Sequence, residues 1–214
     1  MTEAIPGPAY RIKSERLILR CWEPADAPLL EVAVDESLDH LLPWMPWAKH
    51  EPSDFQTRID TLRRFRGNFD LGKDFIYGIF DAEESQVLGG TGLHTRVQDA
   101  APEFPAREIG YWIHKDHVNR GLATEATAAL TRVAFEVDRV DRVEIRCEPQ
   151  NVRSAAIPRK LGFQHEATLA RRLRNTYGEP RETSIWSLFA DDYSNTPSAG
   201  AQIEAYDVVG RQII

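Results

Sequence analysis

The chain has 214 residues, 42% of them hydrophobic and 28% charged, with a formal net charge of −7. That length and balance suit one large globular domain with a sizeable core. The acidic excess argues against a polyanion such as nucleic acid as the main partner, and it is compatible with a cationic amine.

The opening "MTEAIPGPAY" (1–10) has neither the basic nor the apolar pattern of a leader, and no stretch nears the ~20 apolar residues of a membrane span. These features predict a cytoplasmic protein with no membrane partner. "ERLILRCW" (15–22) reads as a first strand. "EPADAPLLEVAV" (23–34) reads as a helix. Two prolines break "LLPWMPW" (41–47), which fits either core lining under a loop or the wall of a substrate pocket. Phe55, Ile59, Leu62, Phe65 and Phe69 fall at helical spacing, with Gly72 as the C-cap. Arg58, Arg63, Arg64 and Arg66 between them read as the solvated face.

Strands follow at "FIYGIFDA" (75–82) and "VLGGTGLHTRV" (87–97). "QDAAPEFPA" (98–106) reads as a loop. "REIGYWIH" (107–114) is a strand with Ile109, Tyr111 and Ile113 on one face and Glu108, Gly110, Trp112 and His114 on the other. A helix after Gly121 carries Leu122, Ala126, Leu130, Val133 and Val137 on one stripe. "RVEIRC" (142–147) is a strand. "NVRSAAIPRKLGF" is a short helix closed by Gly162, and "FQHEATLARRLR" and "ETSIWSLFA" form a hairpin. The order implies a mixed α/β or α+β sheet rather than a βαβ ladder. A single domain is expected over 1–193. The tail 194–214 regains apolar residues (Ile203, Tyr206, Val208, Val209, Ile213, Ile214) and is expected to pack on the domain or on a second copy, which makes a homodimer plausible.

The two cysteines, Cys21 and Cys147, form no CxxC and lie in apolar strand-like stretches. Both read as buried free thiols, and no metal site is expected. "LGGTGL" (88–93) lies within strand-like sequence and no long helix follows, so its glycines mark bulges or close backbone approach rather than a dinucleotide loop. "HVNRGLATEA" (117–126) has better context. A strand, a polar turn and a helix start meet there, and the first-turn N–H groups of a helix lack partners and favour an anion. Plain helix initiation fits the same residues.

Asn151-Val152-Arg153-Ser154 and Lys160-Leu161-Gly162-Phe163 alter that balance. With "ERLILR", "VLGGTGLH", "EIGYWI", "RGLATEA" and "RVEIRC", in this order, they resemble the GNAT superfamily of acyl-CoA-dependent N-acyltransferases, and most closely its RimJ/RimL-like branch. The resemblance runs from Arg16 to Phe189. It implies the GNAT fold, a mixed, mostly antiparallel splayed sheet of about seven strands with helices on both faces. It also implies acetyl-CoA as cosubstrate, held between strands 107–114 and 142–147. The family's diphosphate motif, Gln/Arg-x-x-Gly-x-Gly/Ala, is matched by Val118, Asn119, Arg120, Gly121, Leu122 and Ala123, with Val118 departing from it. The resemblance assigns the donor to the backbone from Val118 to Thr124, to Trp112 and Ile113 beside the pantetheine arm, and to Asn151 bonding it. It offers Glu108 as the base, directly or through water, and Ser154 as the acid beside the sulfur.

Each role has a plainer counterpart. Glu108 could be a strand-edge charge paired with Arg107 or Lys115, and Asn151 and Ser154 could be helix-start residues. His94 and His114 are alternative bases or simply polar strand ends. Trp44, Trp47 and Tyr111 are candidates for the acceptor side. Cys147 has no base named for an acyl-cysteine, and a ternary complex needs no covalent step. Pro158 cannot bond back to the Ser154 carbonyl, so a kinked or late-starting helix is predicted.

Acyl transfer needs a neutral amine. An α-amino group, with a pKa near ~7.8, is neutralised at pH 7 for about 1 kcal/mol, while a lysine costs about 4.6 kcal/mol. This favours a protein N-terminus as acceptor. A polyamine, aminoglycoside or amino-acid amine is the rival substrate, with another acyl-CoA as a rival donor, and a non-catalytic CoA-binding regulatory module is the rival class.

Overall fold

β-Branched and aromatic runs punctuated by glycine and proline set the strands. The computed structural model describes residues 7–95, 104–175 and 177–214. The expected loop before Phe104 and the first six residues lie outside the described residues. The strands are Arg11–Lys13 (β1), Ile18–Cys21 (β2), Phe75–Phe80 (β3), Val87–His94 (β4), Ala106–Ile113 (β5), Arg142–Cys147 (β6), Gln164–Arg174 (β7), Pro180–Phe189 (β8) and Glu204–Tyr206 (β9). The α-helices are Ala27–Leu41 (α1), Phe55–Asp70 (α2), Leu122–Glu136 (α3), Val152–Lys160 (α4) and the single turn Ala190–Tyr193 (α5).

All the strands join one sheet, in the order β7-β8-β6-β5-β4-β3-β2-β1-β9. Among the described residues the sheet has nine strands rather than about seven. The surplus comes from β1 and β9, three-residue strands that pair with each other at one edge. Every neighbouring pair is antiparallel except β5 and β6. That parallel pair is joined only from Ala106↔Arg142 to Ile109↔Ile145. Beyond Ile109, β5 stays paired with β4 and β6 with β8, so the two strands part.

Helices cover both faces. On one, Leu19, Tyr77, Ile79, Leu93, Ile109 and Ile113 pack against α3. The expected stripe from Leu122 to Val137 is buried there throughout. On the other, Ile18, Trp22, Phe80, Val87 and Trp112 pack with Ala27, Ala33 and Leu62 of α1 and α2. Burying a side chain such as Leu62 or Leu130 contributes ~1.5–3 kcal/mol, so the two layers hold the sheet rigid up to the point of splay.

α1 runs past Val34 to Leu41, because buried Ser37 and Leu41 continue its inward spacing. α2 is capped by the Asp54 side chain, which accepts from Thr57 N–H, and Gly72 follows it at φ +65°. Arg58 is not part of a solvated face. It is 2% exposed, its Nε donates to the Ser53 carbonyl, and its guanidinium meets the Asp35 and Glu51 carboxylates. A buried guanidinium needs such partners, and here they tie α1, α2 and the turn before α2 together. Tail residues Ile203, Ile213 and Ile214 pack on the core, while Val208 and Val209 are exposed. Among the described residues no helix is long and apolar enough to cross a membrane.

Candidate active site

A cavity of about 490 Å³ opens where β5 leaves β6. Tyr111, Trp112 and Ile113 of β5 form one wall, the segments at the starts of α3 and α4 form others, and Leu41, Trp44 and Met45 at the end of α1 close it.

The start of α3 is a cradle of backbone donors. Asn119 and Gly121 both adopt the left-handed conformation, at φ +60° and +80°. Gly121 is the N-cap, and the first turn closes from Glu125 N–H to the Gly121 carbonyl. The N–H groups of Leu122, Ala123 and Thr124 therefore have no partner within the helix, and these residues line the cavity. Arg16 fixes this loop. Its Nη1 donates to the Arg120 carbonyl at 3.0 Å, and its Nε meets Glu125 at 2.7 Å, which removes the repulsion a first-turn carboxylate would offer an anion. Arg153 and Lys160 add cations to the lining. Burial, then neighbouring Arg120, holds the His117 imidazole below its usual range. Orphan N–H groups, two cations and an apolar stretch from Leu41 to Ile157 form a donor set that fits a diphosphate carried on a long flexible arm.

At the start of α4, Asn151 Oδ1 accepts from Ser154 N–H at 3.1 Å. The helix contains both Ser154 and Pro158 and starts at Val152, so the expected late start does not occur. The carbonyl that Pro158 cannot serve is bonded from another element: Tyr111 hydroxyl donates to Ser154 O at 3.1 Å and lies 3.2 Å from Ser154 Oγ. Burial pushes the Tyr111 phenol up, so it stays a donor. Burial also raises the neighbouring Cys147 thiol, against the hydrogen bonds from Ser154 and Trp186, so little thiolate forms.

On the opposite face of β5, Glu108 is buried and stands across from Glu144 on β6 and His94 on β4. Arg146 Nε lies 3.6 Å from Glu108, and Arg107 bonds Asp138 at 2.9 Å. His94 Nδ1 meets Asp74 at 2.9 Å. His114 is held by Glu36 at 3.2 Å on Nε2, while its Nδ1 accepts from Asp116 N–H. The β4 glycines make room: a methyl on Gly90 would lie 2.5 Å from Trp112 Nε1, and one on Gly92 would lie 2.9 Å from His94 Nε2. Close approach thus accounts for "LGGTGL".

Residues 16–164 match the family model described as an acetyltransferase (GNAT) domain. The chain belongs to the GNAT acetyltransferases. These are acyltransferase enzymes that use acetyl-CoA as donor. Over 162 residues this GNAT chain is 28% identical to the [ribosomal protein uS5]-alanine N-acetyltransferase of Escherichia coli (strain K12), covering 74% of this chain and 80% of that protein. Its fold is similar to that of Mycobacterium smegmatis RimJ, solved in complex with CoA-disulfide (22% identity, TM-score 0.73, 90% of each chain). It is also similar to the microcin C7 self-immunity acetyltransferase MccE, solved with acetyl-CoA and AMP (17% identity, TM-score 0.71, 82% of this chain and 93% of that one).

The GNAT cavity brings together most of the residues expected from the sequence: Trp44, Tyr111, Trp112, Ile113, Val118, Asn119, Gly121 to Thr124, Asn151 and Ser154. Three are not on its wall. Arg120 is exposed and contributes its carbonyl to Arg16. Trp47 sits edge-on against Trp112, with ring centroids 6.0 Å apart. Glu108 stands beyond Trp112 along the same face. The links made by Arg16, Arg146 and Tyr111, the last donating to Ser154, are ones that sequence spacing does not reveal, because each acts across elements far apart in the chain.

Proposed function

We propose that this GNAT enzyme acetylates a primary amine, and that the amine is a protein N-terminal α-amino group. The observation that carries this reading is the parting of β5 and β6. It leaves an anion cradle and an apolar channel on one side of β5, and buried carboxylates on the other. The named uS5-alanine relative and the low cost of neutralising an α-amine support the acceptor class.

Acetyl-CoA supplies the acyl carbon, which the amine nitrogen bonds as the C–S bond breaks and its electron pair stays on sulfur. The N–H groups of Leu122 to Thr124 hold the diphosphate, and Gly121 admits it closely. Trp112, Ile113 and Asn151 guide the arm. Ser154, fixed by Tyr111, offers its hydroxyl to the departing sulfur. Glu108 attracts the incoming ammonium and takes its first proton through water. Trp44 and Trp47 flank the acceptor.

The test is thiol release from acetyl-CoA with peptides beginning Ser, Ala or Met, beside polyamines. The expected outcome is a higher kcat/KM for the peptides. Replacing Glu108 by Gln and Ser154 by Ala together should lower kcat by at least ~10²-fold and leave CoA affinity unchanged. Preference for polyamines would overturn the acceptor class. CoA binding without release for any amine would make this a binding module.

A further inference from the structure

On the face of the sheet that carries Glu108, the alternate residues are Gly90, Gly92 and His94 on β4 and Trp112, Gly110 and Glu108 on β5, paired in that order. A methyl on Gly92 would lie 2.9 Å from His94 Nε2, and one on Gly110 would lie 3.5 Å from the same atom. The ring edge therefore covers Gly92, and Nε2 borders the space over its cross-strand partner Gly110, where a methyl would meet only the His94 ring within 4 Å. The result is a slot floored by the Gly110 backbone, with the Trp112 indole over Gly90 at one end and Glu108 beside His94 at the other. Gly110 is the first β5 residue past the last pair with β6, so the slot lies at the mouth of the splay. Trp112 is shared by slot and cavity.

The imidazole is oriented. A carboxylate only accepts, so in the neutral ring the 2.9 Å contact with Asp74 places the proton on Nδ1 and leaves the Nε2 lone pair facing the slot. Among the described residues Nε2 makes no hydrogen bond. The side chain is 16% exposed. Among the described residues, the charged groups around the slot are Asp74 from the turn before β3, Glu108 on β5, and Glu144 and Arg146 on β6, which pair with each other beside Glu108.

Acetylating an ammonium removes two protons from nitrogen, one to free the lone pair and one as the N–C bond forms. Glu108 accounts for the first. We infer that His94, oriented by Asp74, is the catalytic base that accepts the second, with the amine nitrogen seated over Gly110. This rests on the amine-acetyltransferase reading. As nitrogen bonds the acyl carbon and the C–S pair moves to sulfur, the N–H proton passes to Nε2. The sulfur takes one proton from solvent through Ser154. Glu108 and His94 return theirs to water, so one proton is released in all. The Asp74 carboxylate stabilises the imidazolium that forms.

The experiment measures thiol release with acetyl-CoA and an Ala-initiated peptide. His94→Gln should lower kcat by ~10²-fold or more with acetyl-CoA affinity unchanged, and added imidazole should restore part of the rate to His94→Ala. Gly110→Ala makes only an ordinary contact, so it should fold normally, yet lose at least ~10-fold in kcat/KM for the peptide because its methyl fills the slot. Wild-type kcat in His94→Gln, or wild-type kcat/KM in Gly110→Ala, would overturn the assignment. If the unaltered enzyme fails to release thiol with every amine tried, the acetyltransferase reading itself fails. Nitrogen-15 NMR of the histidines then still decides the geometry: a proton on Nε2 rather than Nδ1 in the neutral ring would overturn the proposal.

Discussion

Glycine within a strand costs backbone entropy and contributes no packing, so Gly89, Gly90 and Gly92 in β4 need a compensating role. What each methyl would strike ranks them. At Gly89 it collides with the Trp112 main-chain carbonyl, and β4 and β5 must move apart. At Gly90 it meets the Trp112 indole at 2.5 Å, which a side-chain rotation can relieve. Gly90→Ala should therefore cost about 1–3 kcal/mol, and Gly89→Ala distinctly more, read as urea midpoints at constant m. Equal midpoints would show that the indole, not the strand spacing, sets the limit at both positions. The need for space at these glycines was legible in the sequence, though the ring that fills it was not. Arg58 shows the opposite failure. Its place among apolar helical positions suggested solvent, because Asp35 and Glu51, which receive it, stand on other elements.

Between elements, the join of β5 to α4 follows from one missing N–H. Pro158 leaves the Ser154 carbonyl without a helical donor, and that much is readable from spacing alone. The donor that replaces it, Tyr111, is set by the angle at which β5 passes α4, and no local pattern encodes that angle. Tyr111→Phe should destabilise the fold by about 1 kcal/mol by removing the donor to a part-buried acceptor. Pro158→Ala restores the N–H, and in that background Tyr111→Phe should cost under ~0.5 kcal/mol. A double-mutant cycle on thermal unfolding checks this, and additive losses would show that the phenol matters for packing alone. The α3 cradle divides the same way. Gly121 and the helix start were visible in "RGLATEA". Arg16, which holds the Arg120 carbonyl from more than a hundred residues earlier, was not.

Across the whole molecule, the sheet ends in two unlike edges. β7 is long and carries exposed Arg171, Arg172 and Arg174, charges that discourage pairing with another chain. The other edge is sealed by β9, whose Ala205 is fully buried beside Ile12. Ala205→Glu should bury a charge, detach β9 and bare β1, giving a lower Tm and concentration-dependent association by light scattering. A monodisperse variant with unchanged Tm would mean that β9 adds little. The other seven strands announced themselves by length and alternation. β1 and β9 have three residues each, too few for a pattern, and only their pairing makes them strands. That pairing also orders the chain's own synthesis. Arg11 leaves the ribosome long before its partner Tyr206. Through that interval β1 has β2 on one side and bare backbone on the other. The nascent protein must therefore carry an open sheet edge until residues 204–206 clear the exit tunnel. That interval, rather than the finished fold, is when the chain is most exposed to capture by chaperones or by its neighbours on the same message.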